Sequence, residues 1–123
     1  MLIVDDNEDS AQLLAMVLER EGHETRVAHD GPEAIPLAIT FRPNIALLDI
    51  GLPGMDGFQL LDILRGRPEL AACKFVAVTG YNELRPCGAL AFDAHLVKPV
   101  NLDAVVSTVL ELAHADLPRP ASG

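Results

Sequence analysis

The chain has 123 residues, half of them hydrophobic and 22% charged, with 18 acidic against 9 basic side chains and a net charge of −9. That length holds one domain of the usual size of about 100–200 residues, and the composition is that of a folded chain rather than a disordered one. So large an acid surplus lacks the electrostatic footprint of a nucleic-acid binder and repels anionic lipid surfaces. No apolar run approaches the roughly 18 residues of a membrane span. The opening Met1-Leu-Ile-Val-Asp-Asp6 has no basic n-region and no signal-peptide shape, so a cytoplasmic location is expected.

The elements alternate along the chain. Leu2-Ile3-Val4 is a short apolar run that ends in two aspartates and reads as a buried strand. Asn7 to Ala11 is rich in capping residues, and Ala11, Leu14, Ala15 and Leu18 then follow at helical spacing until Gly22 stops the pattern. Thr25 to Ala28 is a second strand. Asp30 caps a second helix, with Glu33 in capping-box position. That helix runs towards Phe41, but Pro36 inside it predicts a kink or a shortening. Asn44 to Leu48 is a strand apolar on both faces and ends in Asp49. Gly51 to Gly57 is a loop dense in turn residues, and Phe58, Leu61 and Leu64 mark a third helix. Phe75 to Val78 is another apolar strand, ending in Thr79-Gly80. Glu83 to Ala91 reads as a short, irregular helical segment containing Pro86 and Gly88. His95-Leu-Val97 is the fifth strand, followed by Lys98-Pro99. In the last helix Leu102, Val105, Val106, Val109, Leu110 and Ala113 form one stripe. Residues 116–123 have the composition of a tail or linker.

Strands alternating with helices, and strands apolar on both faces, predict an α/β domain with a parallel sheet covered on both sides. The two cysteines, Cys73 and Cys87, form no CxxC pair and are expected to be reduced. The four histidines show no metal-ligand spacing.

In a doubly wound sheet, ligands bind outside the carboxyl ends of the strands. Strand one ends here in Asp5-Asp6, strand three in Asp49, strand four in Thr79 and strand five in Lys98. Taken singly, such residues are helix caps, turns and surface loops more often than sites. Their joint placement at the ends of four strands is what carries information. Crowded carboxylates repel unless a cation joins them, and a hard oxygen cluster suits Mg²⁺ shared with a phosphate. Lys98, one of only two lysines in the chain, is a natural counter-ion for a phosphoryl oxygen. The chemistry indicated is phosphoryl transfer with Asp49 as nucleophile.

Four motifs, Val4-Asp5-Asp6, Leu47 to Gly57, Val78-Thr79-Gly80 and Val97-Lys98-Pro99, resemble those of the receiver domain of bacterial two-component response regulators. The resemblance runs from about Leu2 to Ala113, and its wording is most similar to receivers attached to hybrid sensor histidine kinases. It implies a flavodoxin-like (βα)5 fold with strand order 2-1-3-4-5, as in the chemotaxis member. By the same resemblance Asp49 is the phosphoacceptor, charged from the phosphohistidine of a histidine kinase or phosphotransfer domain. Asp6 is the direct Mg²⁺ ligand, Asp5 acts mainly through water, and the Gly51 carbonyl completes the metal shell. Thr79 and Lys98 bind the phosphoryl group and switch with it. Gly51 and Tyr81 occupy positions that tune phosphoryl lifetime. The implied protein is a signalling domain rather than an enzyme. Its implied partners are the phosphoryl donor and either a downstream effector or a second copy.

The sequence departs from the family pattern in places. His95 stands where many receivers carry an aromatic switch residue, and it is either a candidate switch or a half-buried packing residue. Only 18 residues separate Thr79 from Lys98, a deficit near one helical turn of roughly 3.6 residues, so a shortened or irregular fourth helix is expected. That departure supports an alternative, a degenerate receiver that acts as a phosphorylation-independent interaction module. A haloacid-dehalogenase-type phosphatase is disfavoured because Gly51 replaces the second acid. A flavodoxin is disfavoured because Asp5-Asp6 stands where a phosphate loop would be. The receiver is expected to span 1–115, either as a stand-alone regulator or as a piece of a larger hybrid kinase.

Overall fold

The computed structural model describes residues 1–51, 54–55, 57–79, 92–97 and 101–115. Five parallel strands, β1 (Leu2–Val4), β2 (Arg26–Ala28), β3 (Ile45–Asp49), β4 (Lys74–Thr79) and β5 (Ala94–Val97), form one sheet in the order β2-β1-β3-β4-β5. Four helices are described: α1 (Glu8–Arg20), α2 (Gly31–Phe41), α3 (Gly57–Arg65) and α4 (Leu102–Ala115), with a 3₁₀ turn at Pro68–Leu70. The doubly wound architecture and strand order agree with the sequence expectation. The segment expected to form an irregular helix before β5 lies outside the described residues.

β1 and the interiors of β3 and β4 are apolar because both faces of the sheet are covered there, whereas the edge strands β2 and β5 carry the exposed Arg26 and His95. Side chains alternate between two cores, as the pleat requires. Leu2, Val4, Ala46, Leu48, Phe75 and Ala77 join the core under α2 and α3. Ile3, Ile45, Leu47, Val76, Val78 and Leu96 join the core under α1 and α4. β1 aligns Val4 with Leu48 of β3, and β3 aligns Asp49 with Val78 of β4, so the carboxyl ends of the three central strands come level.

Local chemistry sets the helix ends. The Asn7 side chain accepts the Ser10 N–H at 3.0 Å, leaving Asp5 and Asp6 outside α1. The C-terminus of α1 closes as a Schellman motif. The Gly22 N–H donates to Glu19 O at 3.0 Å and the His23 N–H to Leu18 O at 3.1 Å, with Gly22 at φ +92°. Asp30 caps α2 by accepting the Glu33 N–H at 2.8 Å. The reciprocal bond of the expected capping box is displaced by one residue: the Glu33 carboxylate accepts the N–H of His29, at 3.3 Å, rather than that of Asp30.

Three expectations need correction. α2 is not shortened at Pro36 but continues to Phe41, where Arg42 ends it in the left-handed region at φ 52°. Strand two starts at Arg26, which pairs with Leu2, one residue later than expected, while the buried Thr25 donates its hydroxyl to the Glu19 carboxylate at 2.6 Å. In α4 the buried stripe is centred on Val105 and Val109, with Leu102 and Leu112 packed beside them. Leu110, rotated about 100° from Val109, is 45% exposed instead. The 3₁₀ turn at Pro68–Leu70 was not anticipated, since its single buried residue, Leu70, gives no periodicity to read.

Candidate functional site

The polar residues predicted at the strand ends converge where described. Asp5 follows β1 directly. Its N–H continues the ladder to Ala28 O at 3.0 Å, and its Oδ1 accepts the Asn7 N–H at 2.9 Å. Asp49 is the last residue of β3, and its Oδ1 accepts the Gly51 N–H at 3.0 Å. Each buried carboxylate is thus oriented by the backbone two residues ahead of it, an Asx turn that lets an aspartate sit at the end of an apolar strand. Asp6 is exposed. One carboxylate oxygen from each of Asp5, Asp6 and Asp49 falls within 4.8 Å of the others. Asp5 and Asp49 retain only 3% and 2% of their exposure, so water does little to screen them. At an effective dielectric of 20, two unit charges so spaced repel by about 3 kcal/mol.

Thr79 ends β4, one residue beyond the Val78 that pairs with Asp49. It is 1% exposed, and among the described residues its Oγ1 has no hydrogen-bond partner. A buried hydroxyl without a partner is costly and uncommon, and it is accounted for when a ligand completes it. The donor set therefore fits a hard divalent cation shared with an anionic group: three converging carboxylates, beside a hydroxyl with no partner among the described residues. Gly51 lies on the exposed loop after Asp49. His95 is exposed on β5, opposite Ala77, which places it two residues before the Val97 that aligns with Thr79. It is therefore not the half-buried packing residue that formed one of its two expected roles. Lys98 lies outside the described residues.

Residues 1–110 match the model of the response regulator receiver domain. The chain belongs to that family. This receiver domain is 38% identical over 113 residues to the nitrogen assimilation regulatory protein NtrX of Azorhizobium caulinodans, a match covering 86% of this chain and 24% of that protein. It is 33% identical over 115 residues to sporulation initiation phosphotransferase F of Bacillus subtilis, covering 89% of each. Among solved structures it is similar to the signal receiver domain of a signal transduction histidine kinase from Syntrophus aciditrophicus. The TM-score there is 0.82 at 26% identity, with 98% of this chain and 93% of that chain covered. The receiver thus spans about a quarter of the first relative and about nine tenths of the second. No described helix is long and apolar enough to cross a membrane.

Sequence reading missed how the loop after Asp49 is held. Gly57, the buried first residue of α3, donates its N–H to Ile50 O at 3.0 Å, and the Ile50 N–H donates to Val78 O at 3.0 Å. Gly57 was visible only as one turn residue among several. The signal that could have singled it out is a glycine at the start of a helix, where a side chain is normally tolerated.

Proposed function

We propose that this receiver domain accepts a phosphoryl group on Asp49 from the phosphohistidine of a histidine kinase or phosphotransfer domain. The observation that carries the reading is the buried Thr79 hydroxyl, without a partner among the described residues, beside three converging carboxylates. A carboxylate oxygen of Asp49 attacks phosphorus, the phosphorus–nitrogen bond breaks, and the histidine nitrogen keeps the electron pair. The product is an acyl phosphate. Asp5, Asp6, Asp49 and the Gly51 carbonyl would hold Mg²⁺, which when bound neutralises charge on the carboxylates and the transferring phosphoryl oxygens. The Gly51 N–H holds the Asp49 carboxylate in its orientation. Burial of Asp49 at the strand end keeps water from competing as the acceptor. Thr79 donates to a phosphoryl oxygen, and Lys98 pairs with another.

The phosphoryl group adds about 1.5 to 2 negative charges. Drawing Thr79 and Lys98 towards it is the switch, with His95 a candidate participant on the β5 edge. In this reading the receiver occupies 1–115, residues 116–123 form a tail or linker, and the domain works in the cytoplasm without direct nucleic-acid contact. Its readers are an effector protein or a second copy.

The test is intact mass after incubation with Mg²⁺ and acetyl phosphate. One added phosphoryl group is expected in the wild type and none in Asp49→Asn or in EDTA. A wild type that binds the metal yet gains no mass would return the domain to the alternative of a phosphorylation-independent interaction module.

A further inference from the structure

The loop from β3 to α3 touches down at two places where a side chain is missing. A Cβ on Gly57 would stand 2.8 Å from Ile50 Cα and 2.9 Å from the Asp49 carbonyl oxygen. Both are backbone atoms and cannot step aside, so the start of α3 meets the end of the acceptor strand only because residue 57 has no side chain. The second place is on another helix. Gly31, the buried first residue of α2, faces Met55 of the loop. A Cβ on Gly31 would lie 2.6 Å from Met55 Sδ, and also 3.2 Å and 3.3 Å from its Cβ and Cγ. Turning the sulfur away leaves the Met55 Cβ and Cγ a few tenths of an ångström too close, so the loop itself must shift to accommodate a side chain at residue 31. Met55 is half-buried and packs against the core under α2 and α3.

We propose that Gly31, Met55 and Gly57 are positioning residues that seat the loop following Asp49 against the start of α2, and so fix the Asp49 carboxylate and the Gly51 backbone for phosphoryl transfer. The functional half of this inference rests on the reading of Asp49 as acceptor. The Asp49 carboxylate is aimed by the Gly51 N–H, and Gly51 belongs to the same loop. A loop pushed outward at Met55 carries that N–H with it. Misplacement of a reacting group by about 1 Å costs up to about 100-fold in rate. In Gly31 the seat extends to a residue whose sequence context announces only a helix start.

The experiment compares the full chain with Gly31→Ala, Met55→Ala, the double variant and Gly66→Ala. In the last of these the added Cβ meets nothing closer than 3.5 Å. One readout is the rate of acyl phosphate formation from acetyl phosphate with Mg²⁺. The other is amide hydrogen exchange at Gly51 and Gly57 without metal, with Leu47 and Val76 as core references. Gly31→Ala is expected to slow phosphorylation about tenfold, a partial misplacement on the same scale. It should also speed exchange at the two loop amides but not at Leu47 or Val76. Met55→Ala, which loses the seat without a clash, should show smaller changes in the same direction, the double variant should match Met55→Ala alone, and Gly66→Ala matches the wild type. General loss of stability would speed the core amides alike. The proposal is overturned if Gly31→Ala exchanges like the wild type at Gly51 and Gly57, or if the double variant is no better than the two single effects summed. A wild type that gains no phosphoryl group sinks the reading of Asp49, while the exchange data still decide whether the seat exists.

Discussion

Replacing Thr79 by valine should make this protein more stable. The substitution keeps the shape of the side chain and exchanges a hydroxyl for a methyl group. Thr79 is 1% exposed and its Oγ1 has no partner among the described residues, so the folded state carries a desolvated polar group with nothing in return. That penalty is about 1–3 kcal/mol in proteins. Valine removes it, buries one more apolar group, and suits a strand. We expect a gain of about 1–2 kcal/mol after small packing losses. For a domain of this size that raises Tm by roughly 3–6 °C per kcal/mol. Urea unfolding followed by far-ultraviolet circular dichroism, in EDTA so that no metal contributes, measures it. The same variant should form acyl phosphate more slowly than the wild type, because the hydroxyl is kept for a ligand at the expense of stability. A midpoint unchanged or lowered in Thr79→Val would mean that the hydroxyl is satisfied in the folded apo protein, and the reasoning would fail.

Further outcomes follow from the same geometry. Saturating Mg²⁺ should stabilise the wild type by about 2.7 kcal/mol at 100 times its Kd, and Asp6→Asn, which removes one carboxylate of the three, should lose most of that shift in a thermal melt. Leu61→Ala, at 1% exposure on the buried face of α3, should cost about 2–5 kcal/mol in urea unfolding, whereas Leu13→Ala, 47% exposed on α1, should stay within about 0.5 kcal/mol. Gly22→Ala should destabilise by about 1 kcal/mol, since its φ of +92° favours glycine; an unchanged midpoint would mean that alanine adopts this conformation without strain.

What the sequence made legible was the chemistry delivered to strand ends. Parallel strands buried on both faces are apolar runs, so a polar residue that terminates one, as Asp5, Asp49 and Thr79 do, is conspicuous. Asn7, Asp30 and Gly22 were equally readable, because caps have local causes. The misreadings came from effects that are not local. Pro36 ends a helix only if nothing else holds it, and here Ala34 and Ala38 are fully buried on either side of it. Leu110 matched an apolar stripe, yet which face of α4 is covered depends on where α1 lies. Thr25, which has strand character in the sequence, lies before β2 and donates its hydroxyl to Glu19, six residues away. The seat of the loop after Asp49 was hidden for the same reason: the contact between Gly31 and Met55 joins two segments that no sequence periodicity relates.

The central claim is that Asp49 itself carries the phosphoryl group. Treating the phosphorylated protein with borohydride reduces an acyl phosphate to an alcohol, so peptide mass spectrometry reads the modified aspartate as homoserine. Homoserine at position 49, and at neither Asp5 nor Asp6, is the predicted result. Homoserine at either neighbour instead, or phosphate found on a serine or threonine with none at position 49, would contradict it.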